Sequence, residues 1–461
     1  LCGFIVIVVL TVMSGLSSDF KKRNHNFVGD CLIATDSLVG FPRDSKFIEC
    51  LESQSFIEAV SESIFGVGLV TQSGVDWNIG VQFMGIDPVR HSAVTNFADT
   101  LYYRKGLPEK AFISVHNPDQ EGCAVGIDLI GMPRTSSGDY EHSENPPLIQ
   151  LVLSSFPLTA KGALARGGTD LASSKTLYVV DDSHTGLPQV DGSMIYLPIQ
   201  TARLLTGMDS PIERISAIHI KFKPFVSLDR GTGQVRALWN DYIRTRGDSP
   251  YDNLLKSVRV QTWLENRRSR IAAIEKEQNM LILLFLMLGI ITVFIAFVIF
   301  YMLVGHKSRD IGILQSVGMS RLKIAVVFLN FSALIGILGA LLAAAGGCAF
   351  LYYINPIEDW LFKQFRFQLW DRTLYAIGEI PHQIQISLLA SVACSAVMVP
   401  LATSSSMVAR FVFWTAAFSA STLIPRLDAS LVMYALTCAA RSAARSGFAV
   451  WVVGVCVLPA L

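Results

Sequence analysis

The sequence predicts a membrane protein in which a bundle of α-helical transmembrane spans carries one large mixed α+β domain. Of its 461 residues, 51% are hydrophobic and only 16% are charged, and the mean hydropathy is +0.44. Two stretches, residues 280–304 and 326–353, contain no charged residue. Each is longer than the roughly 20 residues that a helix needs to cross a bilayer core. Residues 17–277 have, by contrast, the ordinary composition of a globular domain.

Four transmembrane spans are predicted, and the first is incomplete. Residues 1–16, "LCGFIVIVVLTVMSGL", are apolar but short, and the sequence starts at Leu, so we interpret them as the end of a truncated helix. The second and third spans are predicted at residues 278–304 and 325–354. The fourth is predicted at residues 384–407, which contain no charged residue. A buried core helix is the alternative for a single apolar run, but soluble cores rarely contain uncharged runs of this length.

The domain between the first two spans, residues 17–277, is predicted to be α+β and to form two lobes. "IHIKFK" alternates apolar and polar side chains, which is typical of a half-buried strand. One face would hold Ile218, Ile220 and Phe222, and the other His219, Lys221 and Lys223. "SMIYLPI" indicates another strand, and the following "QTARLLTGMD" indicates a helix that ends at Gly207. The turn-rich residues 131–147 are a predicted surface loop or lobe boundary.

The sequence contains no pattern of a catalytic, metal or nucleotide site. GxxxxGK[ST], GxSxG, HExxH and GxGxxG are all absent. The eight cysteines form no CxxC pair, and neither they nor the histidines have metal-ligand spacing. Cys31, Cys50 and Cys123 share the large domain, where one disulfide or free buried thiols are both compatible with the sequence. No basic stripe with interleaved aromatic residues is present, so no nucleic-acid partner is predicted.

The charges of the short connections predict the orientation of the chain in the membrane. Residues 305–324 and the tail after the fourth span are basic, whereas residues 355–383 are slightly acidic. Because basic loops stay in the cytoplasm, the large domain is predicted to lie outside. Basic residues at the two ends of the large domain favour the opposite orientation, although the rule is weak for long translocated domains. The basic residues at the two ends of the domain are Lys21, Lys22, Arg23, Arg267, Arg268, Arg270 and Lys276.

The connection between the second and third spans, residues 305–324, is predicted to contain a short amphipathic helix. Ser308 is predicted to cap this helix, Asp310 lies in its first turn, and Gly318 ends it. Its apolar face would comprise Ile311, Leu314 and Val317, with Ile313 beside them. Such a face suits a groove on another protein, and the pattern alone is equally compatible with a helix that lies on anionic lipid.

Several stretches of the sequence resemble one family of membrane proteins. "SRDIGILQSVGMSRLKI" is similar to the signature of ABC-transporter permeases of the lipoprotein-releasing (Lol) type, in a larger group with macrolide exporters and cell-division permeases. "LTVMSGL", "FMGIDP", "IYLPIQTARLLTG" and "VQTWLENRRSRIAAIEKEQNMLILL" are also similar to this type. The resemblance covers roughly residues 1–405. The atypical tail, residues 408–461, has no counterpart, and it would be an interfacial hairpin, an appendage or the product of a disrupted reading frame.

The resemblance implies that the short helix couples the permease to a cytoplasmic ABC ATPase. The ATPase would bind and hydrolyse ATP, so the chain itself is expected to hold no cofactor and to be no enzyme. The implied ATPase-coupling residues are Lys307, Arg309, Asp310, Ile311, Gly312, Ile313, Leu314, Val317, Gly318 and Met319. A second permease subunit, identical or different, would complete the membrane part. Small residues of the third span are predicted to pack helices together: Gly336, Gly339, Ala340, Ala343, Ala344 and Gly347.

The function that the resemblance implies is the release of lipoproteins from the bacterial inner membrane to a periplasmic carrier. A stiff second span would transmit movement from the ATPase to the external domain. Efflux of drugs or toxins is one alternative. A cell-division type signalling scaffold is another, although such proteins tend to have a smaller external domain. The predicted divisions are residues 1–16, 17–277, 278–304, 305–324, 325–354, 355–383, 384–407 and 408–461.

Overall fold

The computed structural model describes residues 2–72, 78–114, 120–132, 140–165, 172–246 and 250–365. The fourth predicted span, the tail and most of the loop at 355–383 lie outside these residues, as does part of the turn-rich loop at 131–147. The described chain divides into two compact units. Among the described residues, unit 1 contains residues 2–17 and 274–365, and unit 2 contains Ser18–Ala273.

Twelve α-helices occur in the described residues. They are α1 (Cys2–Val28), α2 (Ser45–Glu52), α3 (Pro88–Val94), α4 (Phe97–Thr100), α5 (Pro188–Asp191), α6 (Ile199–Thr206), α7 (Leu228–Thr245), α8 (Asp252–Leu255), α9 (Trp263–Asn266), α10 (Arg268–His306), α11 (Ser308–Ser316) and α12 (Arg321–Phe365). Three of them, α1, α10 and α12, are long and apolar enough to cross a membrane. They coincide with the first three predicted spans. Helix α1 continues beyond residue 16 to Val28, and α12 continues through Pro356, so the predicted loop at 355–383 begins as helix.

Helix α12 has one buried stripe, which includes most of the predicted packing residues. Gly336, Ala340, Ala343 and Gly347 are buried, whereas Gly339 is exposed and Ala344 is half-buried. Steps of four residues drift around a helix of 3.6 residues per turn, so a straight stripe must alternate steps of four and three. At Gly347 a Cβ atom would lie 3.1 Å from Cγ2 of Ile7. Because glycine has no side chain, α1 can pack closely against α12 at this position.

Unit 2 is built on a nine-stranded mixed sheet. The described residues contain eleven strands, nine of which form this sheet: β1 (Cys31–Thr35), β2 (Phe41–Pro42), β3 (Ile57–Gln72), β4 (Asn78–Ile86), β5 (Gly122–Gly126), β6 (Gln150–Ser155), β7 (Ser173–Ser183), β8 (Met194–Pro198), β9 (Arg214–Ile215), β10 (Ala217–Phe222) and β11 (Val258–Thr262). The order is β11-β1-β10-β3-β4-β8-β5-β7-β6, and β2 pairs separately with β9. The pairs β4–β8 and β5–β7 are parallel, so the sheet is neither a simple meander nor uniformly parallel.

The long strand β3 closes part of the sheet on itself. Along one edge of β3, the first half of the strand pairs with β10 and the second half pairs with β6. Strand β4 pairs along the other edge of β3. Strands β3, β4, β8, β5, β7 and β6 therefore form a closed circuit. Gly66 permits the tight packing inside it, because a Cβ atom there would lie only 2.2 Å from the Phe83 ring. Closure removes exposed strand edges, which otherwise invite pairing with other chains.

The central strand β10 differs from its prediction as a half-buried strand. Ile218, Ile220 and Phe222 are buried as expected, but His219 on the opposite face is buried as well. Strand β10 lies between β1 and β3, and the end of α1 covers its second face through the carbonyl of Val28. The alternation of apolar and polar residues along one strand cannot predict that its second face is covered, because the covering helix comes from a distant part of the chain.

The cysteines of unit 2 are free thiols. Cys31 and Cys123 are buried in the core, and Cys50 is exposed on α2. Burial raises the pKa of the Cys31 and Cys123 thiols to about 12. These two side chains therefore act as small apolar core residues.

Candidate functional site

The predicted coupling segment is a short helix between two abrupt breaks. Only Lys307 separates α10 from α11, and its carbonyl accepts a hydrogen bond from the Ile311 amide at 3.0 Å. Lys307 is thus the N-cap residue, and no side chain of the described residues caps the helix. Ser308, predicted as the cap, is instead the first helical residue, because the preceding long helix continues further than the sequence pattern suggests.

The segment ends at Gly318, as predicted, in a Schellman motif. Gly318 has a φ of +92°, its amide donates to the carbonyl of Gln315 at 3.0 Å, and the Met319 amide donates to the carbonyl of Leu314 at 3.1 Å. Glycine suits this left-handed position because it has no Cβ atom. The motif satisfies two carbonyls at the helix end and turns the chain towards α12.

The exposed apolar face of the segment differs from the predicted one by one residue. Ile311 is buried, with 4% of its surface exposed, whereas Leu314 and Val317 are 41% and 82% exposed. Ile313 is exposed too and lies four residues before Val317, on the same side of the turn. The free face therefore comprises Ile313, Leu314 and Val317, and we call it the α11 face. Ile311 is covered by other parts of the described chain and is therefore not part of the free face.

The polar residues of the segment surround this face. Lys307 and Asp310 form an exposed ion pair with an Nζ–Oδ2 distance of 2.9 Å, which contributes no more than about 1 kcal/mol. Asp310 also lies in the first turn, where a negative charge complements the helix dipole. The remaining predicted coupling residues, Arg309, Gly312 and Met319, are exposed. An amphipathic, exposed segment of this kind can bind a groove on another protein or a membrane surface.

Unit 2 contains buried titratable groups that stabilise the fold. His219 donates through Nδ1 to the carbonyl of Val28 at 2.8 Å, and its Nε2 accepts from the Ser63 hydroxyl at 2.9 Å. The His91 ring lies 5.0 Å from the His219 ring. Burial lowers the pKa of His219 to about 4 and the pKa of His91 well below its usual value. Both rings are therefore neutral, and His219 ties the end of α1 to the sheet.

A second buried group lies at the end of β7. The carboxylate of Asp181 accepts hydrogen bonds from the backbone amides of Tyr102, Tyr103 and Arg104 at 2.9 to 3.1 Å. Burial nevertheless raises its pKa to about 6. No cluster of three potential metal ligands occurs in the described residues. Through the three amide hydrogen bonds the Asp181 carboxylate ties the segment after α4 to the sheet.

From the sequence alone, Arg267 and Arg270 bear only on the orientation of the chain in the membrane. In the structure both line a cavity of about 740 Å³ in unit 2. A signal was present in the sequence, because α10 begins with basic residues where helices favour acidic ones.

Comparisons with known proteins agree with this architecture. Residues 281–440 match the family model "FtsX-like permease C-terminal". The chain is 21% identical over 394 residues to the lipoprotein-releasing system transmembrane protein LolC of Neisseria meningitidis serogroup B, covering 84% of each protein.

Two solved structures are similar to parts of the chain. The periplasmic region of MacB from Actinobacillus actinomycetemcomitans has 13% identity and a TM-score of 0.31, covering 53% of this chain and 95% of that one. The extracellular domain of the ABC-type transporter YknZ from Gram-positive bacteria has 10% identity and a TM-score of 0.28, covering 50% and 98%. The family model and the LolC similarity, which confirm the resemblance of the sequence motifs, carry the assignment. The chain thus contains an FtsX-like permease domain at residues 281–440 and is similar over most of its length to an ABC-transporter permease of the lipoprotein-releasing (Lol) type.

Proposed function

We propose that the chain is the permease subunit of an ABC transporter that releases lipoproteins from the inner membrane to a periplasmic carrier. The single observation that carries ATPase coupling is the exposed α11 face between two membrane-length helices. The similarity to LolC along most of the chain supports lipoprotein as the cargo. A separate cytoplasmic ATPase binds and hydrolyses ATP in this proposal.

The proposed orientation places unit 2 in the periplasm and the α11 face in the cytoplasm. The basic charge of the short connection supports this orientation. The described helices α1, α10 and α12 are the first three spans, and residues 384–407 are proposed as the fourth. A second permease subunit, identical or different, completes the transporter.

Movement is proposed to pass from the ATPase to the external domain through α10. This helix is continuous over Arg268–His306, contains no proline, and joins α11 through the single residue Lys307. A rigid helix of this kind transmits a displacement at one end, whereas a flexible loop would absorb it. ATP-driven motion of the α11 face would therefore reach unit 2.

Substitution of the α11 face tests the coupling. Leu314→Asp or Val317→Asp would bury an unpaired carboxylate in the ATPase groove, which costs several kcal/mol, or about a hundredfold or more in affinity. Arg309→Ala, an exposed change on the same helix, is expected to cost about 1 kcal/mol or less. We expect both aspartate variants to reach normal membrane abundance, to lose co-purification with the ATPase and to abolish cargo release. An aspartate variant that retains substrate-dependent ATP hydrolysis would exclude α11 as the coupling element.

The cargo requires a separate measurement. Membrane vesicles that contain the permease and its ATPase are expected to transfer a lipoprotein to a soluble periplasmic carrier when ATP is added. Transfer should stop with Val317→Asp and persist with Arg309→Ala. If coupling survives in these vesicles but only drugs or toxins are moved, the efflux alternative is correct.

A further inference from the structure

The cavity of about 740 Å³ in unit 2 combines cationic and apolar walls. Two guanidinium groups line it, those of Arg267 and Arg270. Its apolar wall includes Phe27, Leu32, Phe65, Met84 and Met194. The volume lies within the range of roughly 300–1,000 Å³ that is typical of small-molecule sites.

The charge of the two arginines is not compensated within the described chain. Nε of Arg267 is buried and has no hydrogen-bond acceptor there. Asp36 is the one carboxylate among the described residues that line the cavity, and no ion pair in this part of the chain joins it to either arginine. The Phe27 ring lies 4.6 Å from the Arg267 guanidinium carbon and supplies only a cation–π contact.

The pKa of Arg267 reflects the lack of an anionic partner. Burial, followed by the nearby charge of Arg270, lowers the pKa of Arg267 to about 10. A buried cation is costly unless an anion pairs with it. An anion in the cavity would remove that cost.

The position of the arginines at the start of α10 makes the electrostatic potential there more positive. Arg267 precedes the helix, Arg268 and Arg270 lie in its first turn, and no acidic residue is present there. The positive end of a helix dipole favours anions and disfavours cations. A sequence that departs from such a local rule usually does so for function.

We propose that this cavity binds the phosphate group of a phospholipid, with Arg267 and Arg270 on the phosphate and the apolar wall on the glycerol and acyl part. Guanidinium groups bind phosphate through paired hydrogen bonds, which favours phosphate over an uncharged polar ligand. The apolar wall favours a lipid over a free ion. In sequence the chain enters its uncharged run soon afterwards, at Met280, so the ligand belongs to the membrane surface. The site does not depend on which cargo the transporter moves.

Binding of a water-soluble phospholipid to the whole purified chain tests this proposal. The probe is radiolabelled dihexanoyl phosphatidylglycerol, added to protein that has been stripped of lipid in an uncharged detergent. Arg267→Gln and Arg270→Gln are each expected to weaken binding tenfold or more, because each removes a charge-assisted contact. Arg268→Gln is the matched control, since Arg268 is exposed and does not line the cavity. It should bind within twofold of the unchanged chain.

The thermal unfolding midpoint separates a binding role from a structural one. Without ligand, Arg267→Gln should unfold at the same temperature as the unchanged chain or a higher one, because an uncompensated buried charge has been removed. The lipid should raise the midpoint of the unchanged chain and leave that of Arg267→Gln unaltered. A fall in the ligand-free midpoint together with unchanged lipid binding would show a structural arginine and overturn the proposal.

Two competitors distinguish the source of the phosphate. Dihexanoylglycerol, which has no phosphate, should not displace the probe, and inorganic phosphate should do so only at a concentration at least a hundredfold higher than unlabelled probe. Displacement by inorganic phosphate at equal concentration would overturn the assignment to a lipid. Displacement by dihexanoylglycerol at equal concentration would overturn the role of the arginines.

Discussion

Gly318 is the residue at which the backbone leaves α11 in a left-handed conformation. With a φ of +92° the position is unfavourable for any residue with a Cβ atom, although no atom of the described chain lies within 4 Å of the place a Cβ would occupy. The cost of a substitution there is consequently conformational and does not come from a clash.

We expect Gly318→Ala to destabilise the end of α11 by about 1–2 kcal/mol. Gly312→Ala is the matched control, because Gly312 is an exposed position inside the same helix with equally free space. It should stabilise the helix by up to about 1 kcal/mol. Hydrogen exchange of the α11 amides in the purified chain measures both changes. Equal exchange in the two variants would contradict the role assigned to Gly318.

His219 makes the stability of unit 2 depend on pH. Its pKa is about 4 in the folded chain and about 6.5 when unfolded, so the unfolded chain binds more protons between these values. Stability from the neutral ring is thus complete above about pH 6.5 and is lost as the pH falls towards 4. The loss amounts to at most about 3 kcal/mol.

We predict that His219→Gln reduces this pH dependence. The variant should be less stable than the unchanged chain at pH 7.5, because it loses the hydrogen bonds of His219 to Ser63 and Val28. Between pH 7.5 and pH 5, however, its stability should fall by less than that of the unchanged chain. Thermal unfolding of the purified chain at the two pH values measures the difference. His306→Gln, an exposed histidine, should leave the pH dependence as it is. An identical loss on acidification in His219→Gln and the unchanged chain would contradict the assignment.

At the scale of elements, the packing of α12 against α1 depends on one face of small residues. Gly347 contacts Ile7, and the rings of Phe4 and Phe350 meet edge to face 5.7 Å apart just beside it. Small residues of this kind let membrane helices approach closely. Gly339 lies on another side of α12, and no atom of the described chain is within 4 Å of the position that a Cβ atom would take there.

We expect Gly347→Leu to cost about 1–3 kcal/mol, because the added side chain overpacks the contact with Ile7. Gly339→Leu should be nearly neutral for the fold of the single chain. The thermal unfolding midpoint of each purified variant provides the comparison. If Gly339→Leu is the more harmful change, the packing face has been assigned to the wrong side of α12.

At the scale of the whole molecule, the orientation in the membrane is open to a direct chemical measurement. Cys50 is exposed in unit 2, whereas Cys31 and Cys123 are buried with raised thiol pKa values and are therefore unreactive. Cys50 is thus a native probe for the side on which unit 2 lies.

A thiol reagent that crosses only the outer membrane is expected to label the unchanged chain in intact cells. Cys50→Ser should abolish most of this labelling, because Cys50 is the exposed thiol of unit 2. Labelling that appears only after the inner membrane is lysed would place unit 2 in the cytoplasm and reverse the proposed orientation.

Local properties of the sequence determined the membrane class, the positions of three long helices and the end of α11 at Gly318. Each depends on neighbouring residues alone: an uncharged run of sufficient length, or a glycine where a helix must turn back. The motif around α11 also determined the family resemblance, which the comparisons confirm.

Only the tertiary structure decided which side of each element is covered. It turned Ile311 inward and left Ile313 exposed, buried His219 under the end of α1, closed β3 onto β6, and brought Arg267 and Arg270 to one cavity. The last three outcomes depend on contacts between residues far apart in the chain, and periodicity within one helix or strand contains no information about what packs against it.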